Sequence, residues 1–193
     1  LGGLFGGRRP GGRAAARDRA VRMTIDFTTA ALGGERTLTL DGEAIHVRIP
    51  AGIDASRKLR VRGKGAAAGP GGPRGDLLIE VQVAPDPLFQ RDGDDLLVDV
   101  PITLGEALRG GQVEVPTLTT PVRVRVPPGT QPGRRLRVKG RGIAAQGREP
   151  GDLLVTLRVV LPDVADADLS QAIDALERRY TGDVRADLRS RMA

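Results

Sequence analysis

"IHVRIPAGIDASRKLRVRGKG" (residues 45–65) and "VRVRVPPGTQPGRRLRVKGRG" (residues 122–142) are one stretch of chain written twice. Ten of the 21 aligned positions are identical, all at an offset of 77: Val47/Val124, Arg48/Arg125, Pro50/Pro127, Gly52/Gly129, Arg57/Arg134, Leu59/Leu136, Arg60/Arg137, Val61/Val138, Gly63/Gly140 and Gly65/Gly142. Gly33-Gly34 returns as Gly110-Gly111 at the same offset, and "GDLLIEV" (75–81) returns as "GDLLVTL" (151–157) one residue out of step. Two copies of roughly 75 residues are each large enough for a small core, so this is a tandem duplication and not a solenoid.

The repeated unit reads as β structure. In "VRMTIDF" (21–27) Val21, Met23, Ile25 and Phe27 share one face, and in "RTLTL" (36–40) Leu38 and Leu40 do. "AIHVRIP", "KLRVRG" and "DLLIEVQV" follow, each bounded by Gly, Pro or Asp. Short alternating strands with regular turn signals predict an all-β chain: two tandem, homologous β-sandwich-like domains. After residue 161 the period changes. In "DADLSQAIDALERRY" (166–180) Leu169, Ile173, Leu176 and Tyr180 fall on one helical face, with Asp168 or Ser170 to cap the start and Gly182 to end it. This predicts a short C-terminal α-helix that is either a flap on the β body or a contact to another chain. The divisions are 1–19 (Gly/Arg-rich linker end), 20–90 (first β-domain), 91–162 (second β-domain) and 163–193 (C-terminal helix).

Composition narrows the chemistry. The 193 residues contain no cysteine and one histidine, His46, whose counterpart in the repeat is Arg125. A thiolate zinc site and a Cys nucleophile are therefore not available, a Ser-His triad could draw only on His46, which reads as a solvated strand residue, and neither enzyme activity, a metal nor a cofactor is expected. "GKGAAAG" (63–69) lacks the Lys-Ser/Thr ending of a phosphate loop and reads as a turn, like its copy "GRGIAAQG". The acids of "RDGDDLL" lack the spacing of a calcium loop, and Asp-Gly is a turn pair. No apolar stretch reaches membrane-spanning length. The chain begins with Leu and reads as a piece of a longer protein, and a cytoplasmic location is expected. Of the net charge of +6, residues 1–20 carry +4, through five arginines against Asp18. Such a segment can hold phosphates weakly, so a DNA-associated scaffold is the alternative function. Otherwise a binding role remains: an open strand edge beside an apolar groove can accept an extended peptide. The alternation by itself reads Leu38 and Leu40 as core.

"DPLFQRDGDDLLVDVPITLGEALRGGQVEVPTL" (86–118), "VRVRVPPGTQPGRRLRVKGRGI", "GDLLVTLRVVLP" and the closing helix resemble the C-terminal substrate-binding region of the DnaJ family of co-chaperones, over residues 20–180. The resemblance implies that non-native polypeptide is held in a groove of the first β-domain and handed to a DnaK-type ATP-dependent chaperone. It implies a groove lined by Val21, Met23, Ile25, Leu38, Leu40 and Phe89, which moves the two leucines from core to site. It also implies a homodimer through Leu169, Ile173, Leu176 and Tyr180. Residues 1–16 resemble the end of the family's Gly/Phe-rich linker. The Cys-rich zinc module of many family members is replaced here by the simple turn from Leu40 to Ile45, as in the curved-DNA-binding relatives. No His-Pro-Asp motif of a J-domain is present, so this stretch is expected to bind clients without driving its partner's ATP hydrolysis.

Overall fold

The computed structural model describes residues 16–54, 57–69, 72–162 and 167–192. In the first unit β1 (Arg19–Ile25) buries Met23 and Ile25 and exposes the alternate residues Ala20, Arg22 and Thr24. β2 (Gly34–Leu40) and β3 (Glu43–Ile49) form a hairpin that turns through Asp41 and Gly42. Both turn residues are left-handed, with φ of 51° and 81°, as a two-residue hairpin requires. β4 (Lys58–Val61) and β5 (Leu77–Val83) complete the unit. β5 lies between β1 and β4, parallel to the first and antiparallel to the second. Parallel pairing needs a long crossover, and the hairpin with β4 supplies it. The core between the layers holds Met23, Ile25, Ile45, Val47, Ile49, Ile53, Leu77, Ile79 and Val81.

The second unit repeats this plan with one addition. β6 (Phe89–Asp92) and β7 (Asp95–Thr103) form an antiparallel pair, followed by the hairpin of β8 (Gly111–Val115) and β9 (Val122–Val126), then β10 (Arg135–Val138) and β11 (Leu153–Val160). The sheet order is β10-β11-β7-β6. Even the register is duplicated: Arg19 lies opposite Leu77 in one unit and Leu96 opposite Leu153 in the other. The all-β expectation holds, and β6 begins the second sheet at Phe89, slightly ahead of the division drawn at residue 91.

The start of the last strand is fixed the same way twice. A Cβ at Gly75 would lie 2.2 Å from the Arg17 carbonyl oxygen, and one at Gly151 would lie 2.1 Å from that of Asp94, so only glycine lets the two backbones meet. The next residues, Asp76 and Asp152, donate their N–H groups to the carboxylates of Asp18 (2.8 Å) and Asp95 (2.7 Å). Their own carboxylates accept the N–H of Gly63 (2.8 Å) and Gly140 (2.7 Å) and pair with Arg60 and Arg137. The "GKG" turn thus already has an anion, and it is a side chain of the same unit.

Two short helices were absent from the β reading. α1 (Phe27–Leu32) starts at Asp26, whose carboxylate accepts from Thr29 N at 2.7 Å. α2 (Leu104–Arg109) starts at a capping box: Thr103 accepts from Glu106 N at 3.1 Å, and Glu106 accepts from Thr103 N at 2.8 Å.

The units are joined by buried contacts. Phe27 and Ala31 of the first unit sit in the second unit's core, where Phe27 stacks on Phe89 with ring centroids 6.4 Å apart. Arg91 donates to the carbonyls of Ile53 (2.8 Å) and Gly52 (3.0 Å). Beyond the sheets, α3 (Ala167–Glu177) is the expected helix, ending at Glu177 short of Tyr180 and Gly182, and α4 (Ala186–Met192) is a second, unexpected one. Among the described residues no helix is long and apolar enough to cross a membrane.

Two outcomes are expected. Phe89→Ala removes a buried aromatic from the junction and should destabilise the protein by about 3–5 kcal/mol, read as a lower urea midpoint. The Gly N–H and Arg partners hold Asp76 and Asp152 below the ordinary carboxylate range, so their contribution is present above that range and lost on acidification below it. Stability should fall as pH drops below about 4, and Asp76→Asn with Asp152→Asn should flatten that slope.

Candidate functional site

β1 and β2 run antiparallel past one another without pairing. α1 connects them, and an ion pair ties them at each end. Arg19 at the start of β1 meets Asp41 in the hairpin turn at 2.5 Å. Arg36 on β2 donates to the Asp26 carboxylate and to the Thr29 hydroxyl at the start of α1. The Thr29 N–H and hydroxyl, together with Arg36, lower the Asp26 carboxyl to a pKa of about 2, so the pair stays charged at any ordinary pH.

Between these ties lie five of the six residues assigned to the groove. Val21, Leu38 and Leu40 are half-buried and pack on the first core, while Met23 and Ile25 are buried beneath them. Leu59 and Val61 of β4 join the same half-buried set. They were quoted in the sequence only as a strand, and their alternation gave no sign that they are less than fully covered. Leu40 also borders a cleft of about 580 Å³ with Arg19, Lys64, Ala66, Ala67 and Arg74.

Phe89 is elsewhere. It is 7% exposed, lies on β6 and belongs to the second core. The structure therefore separates it from the other five, because β6 pairs with β7 and carries the ring across the junction onto Phe27.

The repeat supplies an internal comparison. Val21 and Leu38 correspond to Val98 and Val115, which are 3% and 0% exposed. Leu40 corresponds to Thr117, and Arg36 to Val113. At these two positions the frame is closed in the second copy and partly open in the first, whereas Leu59/Leu136 and Val61/Val138 are half-buried in both. In the second copy β6 covers the outer edge of β7; in the first, among the described residues, β1 is itself the sheet edge.

Residues 19–162 match the family model described as DnaJ C terminal domain. The chain belongs to this family. It is 45% identical over 146 residues to Chaperone protein DnaJ 1 of Streptomyces avermitilis, covering 75% of this chain and 37% of that protein. It is 47% identical over 134 residues to Chaperone protein DnaJ 2 of Nocardia farcinica (69% and 34%), and 44% identical over 138 residues to Chaperone protein DnaJ 1 of Mycobacterium tuberculosis (72% and 35%). The chain spans about a third of the length of these DnaJ relatives. It is a DnaJ-type co-chaperone C-terminal region.

The remaining DnaJ expectations fall in other places. Ile173, Leu176 and Tyr180 are exposed and Leu169 is half-buried. Leu176, with Ala172, Ala175 and Arg179, lines a cleft of about 450 Å³ against Leu104 and Leu108 of α2, so part of the expected dimer face looks onto this chain's own second unit. His46 is an exposed strand residue whose Nδ1 lies 3.3 Å from the Thr37 hydroxyl. Most of the basic segment, residues 1–15, lies outside the described residues.

The open and sealed copies should respond differently to the same change. Leu38→Ser should cost under about 1.5 kcal/mol, and Val115→Ser about 2–3 kcal/mol because it buries a hydroxyl in a closed core. Urea denaturation of the two variants measures the difference.

Proposed function

We propose that this region holds non-native polypeptide as an added strand at the first unit and presents it to a DnaK-type ATP-dependent chaperone. The observation that carries the reading is the contrast between the copies: Val21 and Leu38 stay partly open where their counterparts Val98 and Val115 are closed. An exposed edge supplies main-chain hydrogen bonds irrespective of the client's sequence, and the half-buried leucines take its apolar side chains. Each such side chain contributes about 1.5–3 kcal/mol. A micromolar complex needs about 8 kcal/mol, so one or two anchors with a few strand hydrogen bonds give weak, promiscuous binding. Weak binding suits a protein that must release what it holds.

A dimer through α3 belongs to the same reading. Ile173 and Tyr180 are apolar side chains exposed on the C-terminal segment, and a partner protomer would cover them.

Leu38→Asp with Leu40→Asp should abolish suppression of aggregation of a denatured test protein while the unfolding free energy from urea denaturation stays within about 1.5 kcal/mol of the parent. A variant that keeps its fold and still suppresses aggregation would remove the first unit as the site.

A further inference from the structure

The face that joins the first unit to the second is itself duplicated. On the first unit it consists of Phe27 and Ala31 of α1 with the turn at Gly52 and Ile53, and it receives Phe89 and Arg91 of the second unit. At the repeat offset of 77 its copy is Leu104 and Leu108 of α2 with Gly129 and Thr130. The copy keeps the geometry. Gly52 N donates to the Ala31 carbonyl at 3.1 Å, and Gly129 N donates to the Leu108 carbonyl at 3.1 Å. The two helices also end alike, at Gly33 and Gly110, each with φ of 78°.

The two faces differ in what covers them. Ala31 is 2% exposed and Leu108 is 51% exposed. A Cβ at Gly52 would lie 2.6 Å from the Cβ of Ala145 in the second unit, whereas one at Gly129 would meet nothing within 4 Å among the described residues. Val160 lies opposite Thr103, the N-cap of α2, and both it and Leu161 are exposed. The second unit therefore ends in a docking face with no third unit to fill it, and a leftover apolar face at the end of a repeat calls for a cap.

The segment within reach is α3. Six peptide steps separate Leu161 from Ala167, which is at most about 20 Å of chain. So short a tether holds α3 beside α2 at an effective concentration on the order of millimolar. The 11 residues of α3 make a helix that is marginal by itself in water, so its own stability also requires a seat. Ala172, Ala175 and Leu176, spaced i, i+3 and i+4, form one stripe of α3. That stripe, with Arg179, lines the cleft opposite Leu104 and Leu108.

We infer that α3 docks in cis on α2 as the cap of the copied junction face, with Leu176 in the place at α2 that Phe89 takes at α1. The helix is then a fixed part of the second unit. Its alanine stripe turns inward, and Ile173 stays on the adjoining face. The seat depends neither on client binding nor on a dimer.

The chain has no cysteine, so introduced thiols are unique labels. The test treats the Leu108→Cys, Ala175→Cys double variant with a short bis-maleimide and reads the products by mass spectrometry. The expected product is a cross-link within one chain, in a yield unchanged by roughly hundredfold dilution, while a mixture of the two single variants gives no cross-linked pair. A cross-linked pair from the mixture shows that a second copy fills the face and overturns the inference, as does a double variant that fails to cross-link. Leu108→Asp tests the seat without a label. Amide hydrogen exchange across residues 167–177 should quicken about tenfold while the urea midpoint stays that of the parent. Unchanged exchange removes α2 as the seat. If Leu108→Asp lowers the midpoint, Ala175→Glu on the stripe of α3 decides by the same readout.

Discussion

Each unit depends on the pairing of its last strand with its first, in parallel, across some fifty residues of intervening chain. Parallel strands cannot be joined by a tight turn, so everything between β1 and β5, or β7 and β11, is crossover that must fold back over the sheet. The register is held where the last strand begins. Gly75 and Gly151 bring two backbones closer than any side chain permits, and Asp76 and Asp152 then bind the adjoining Gly N–H and an arginine. The hairpin, the helices and the buried valines, leucines and isoleucines all take their positions from that junction.

A frame fixed so firmly can vary at its edges. The second unit uses Phe89, Val98 and Val115 to close its edge, and it takes Phe27 from its neighbour to finish the core. The first unit shares the frame and leaves β1 and β2 as free edges, tied by Arg19–Asp41 and Arg36–Asp26. An unpaired edge is ordinarily an aggregation hazard. Here half-buried apolar side chains sit between the two edges, and on the proposed function that edge receives extended chain. Duplication allows this division: one copy stabilises the pair, and the other is free to be incomplete.

The legible and illegible parts divide along physical lines. The strands were legible because period-two alternation follows directly from burying one face of a pleat. α1 and α2 were missed although Thr103-Leu-Gly-Glu106 is a capping-box pattern, because six residues are too few to display a helical period. Five of the residues assigned to the groove were singled out only by the family resemblance, and two of them, Met23 and Ile25, are buried core: alternation marks Leu38 as inward-facing, but it cannot tell half-buried from buried. The resemblance grouped Phe89 with the other five, whereas the structure puts it in the second core, because its place depends on β6 pairing forward with β7, a choice that local sequence does not make. Leu59, Val61 and Arg36 were legible as strand residues, and nothing in the alternation marked them as neighbours of Leu38.

The sequence by itself determined the duplication, the strand-rich class, the simple turn between Leu40 and Ile45 and the lack of any cysteine thiolate in these 193 residues, since each follows from residue identity and spacing alone. Tertiary structure decided which copy is open. That depends on whether a strand lies over the sheet edge and whether an aromatic from one unit reaches into the other. Both are questions of packing between segments distant in the chain, where the same valine is sealed beside Phe89 in one unit and half-exposed in its twin.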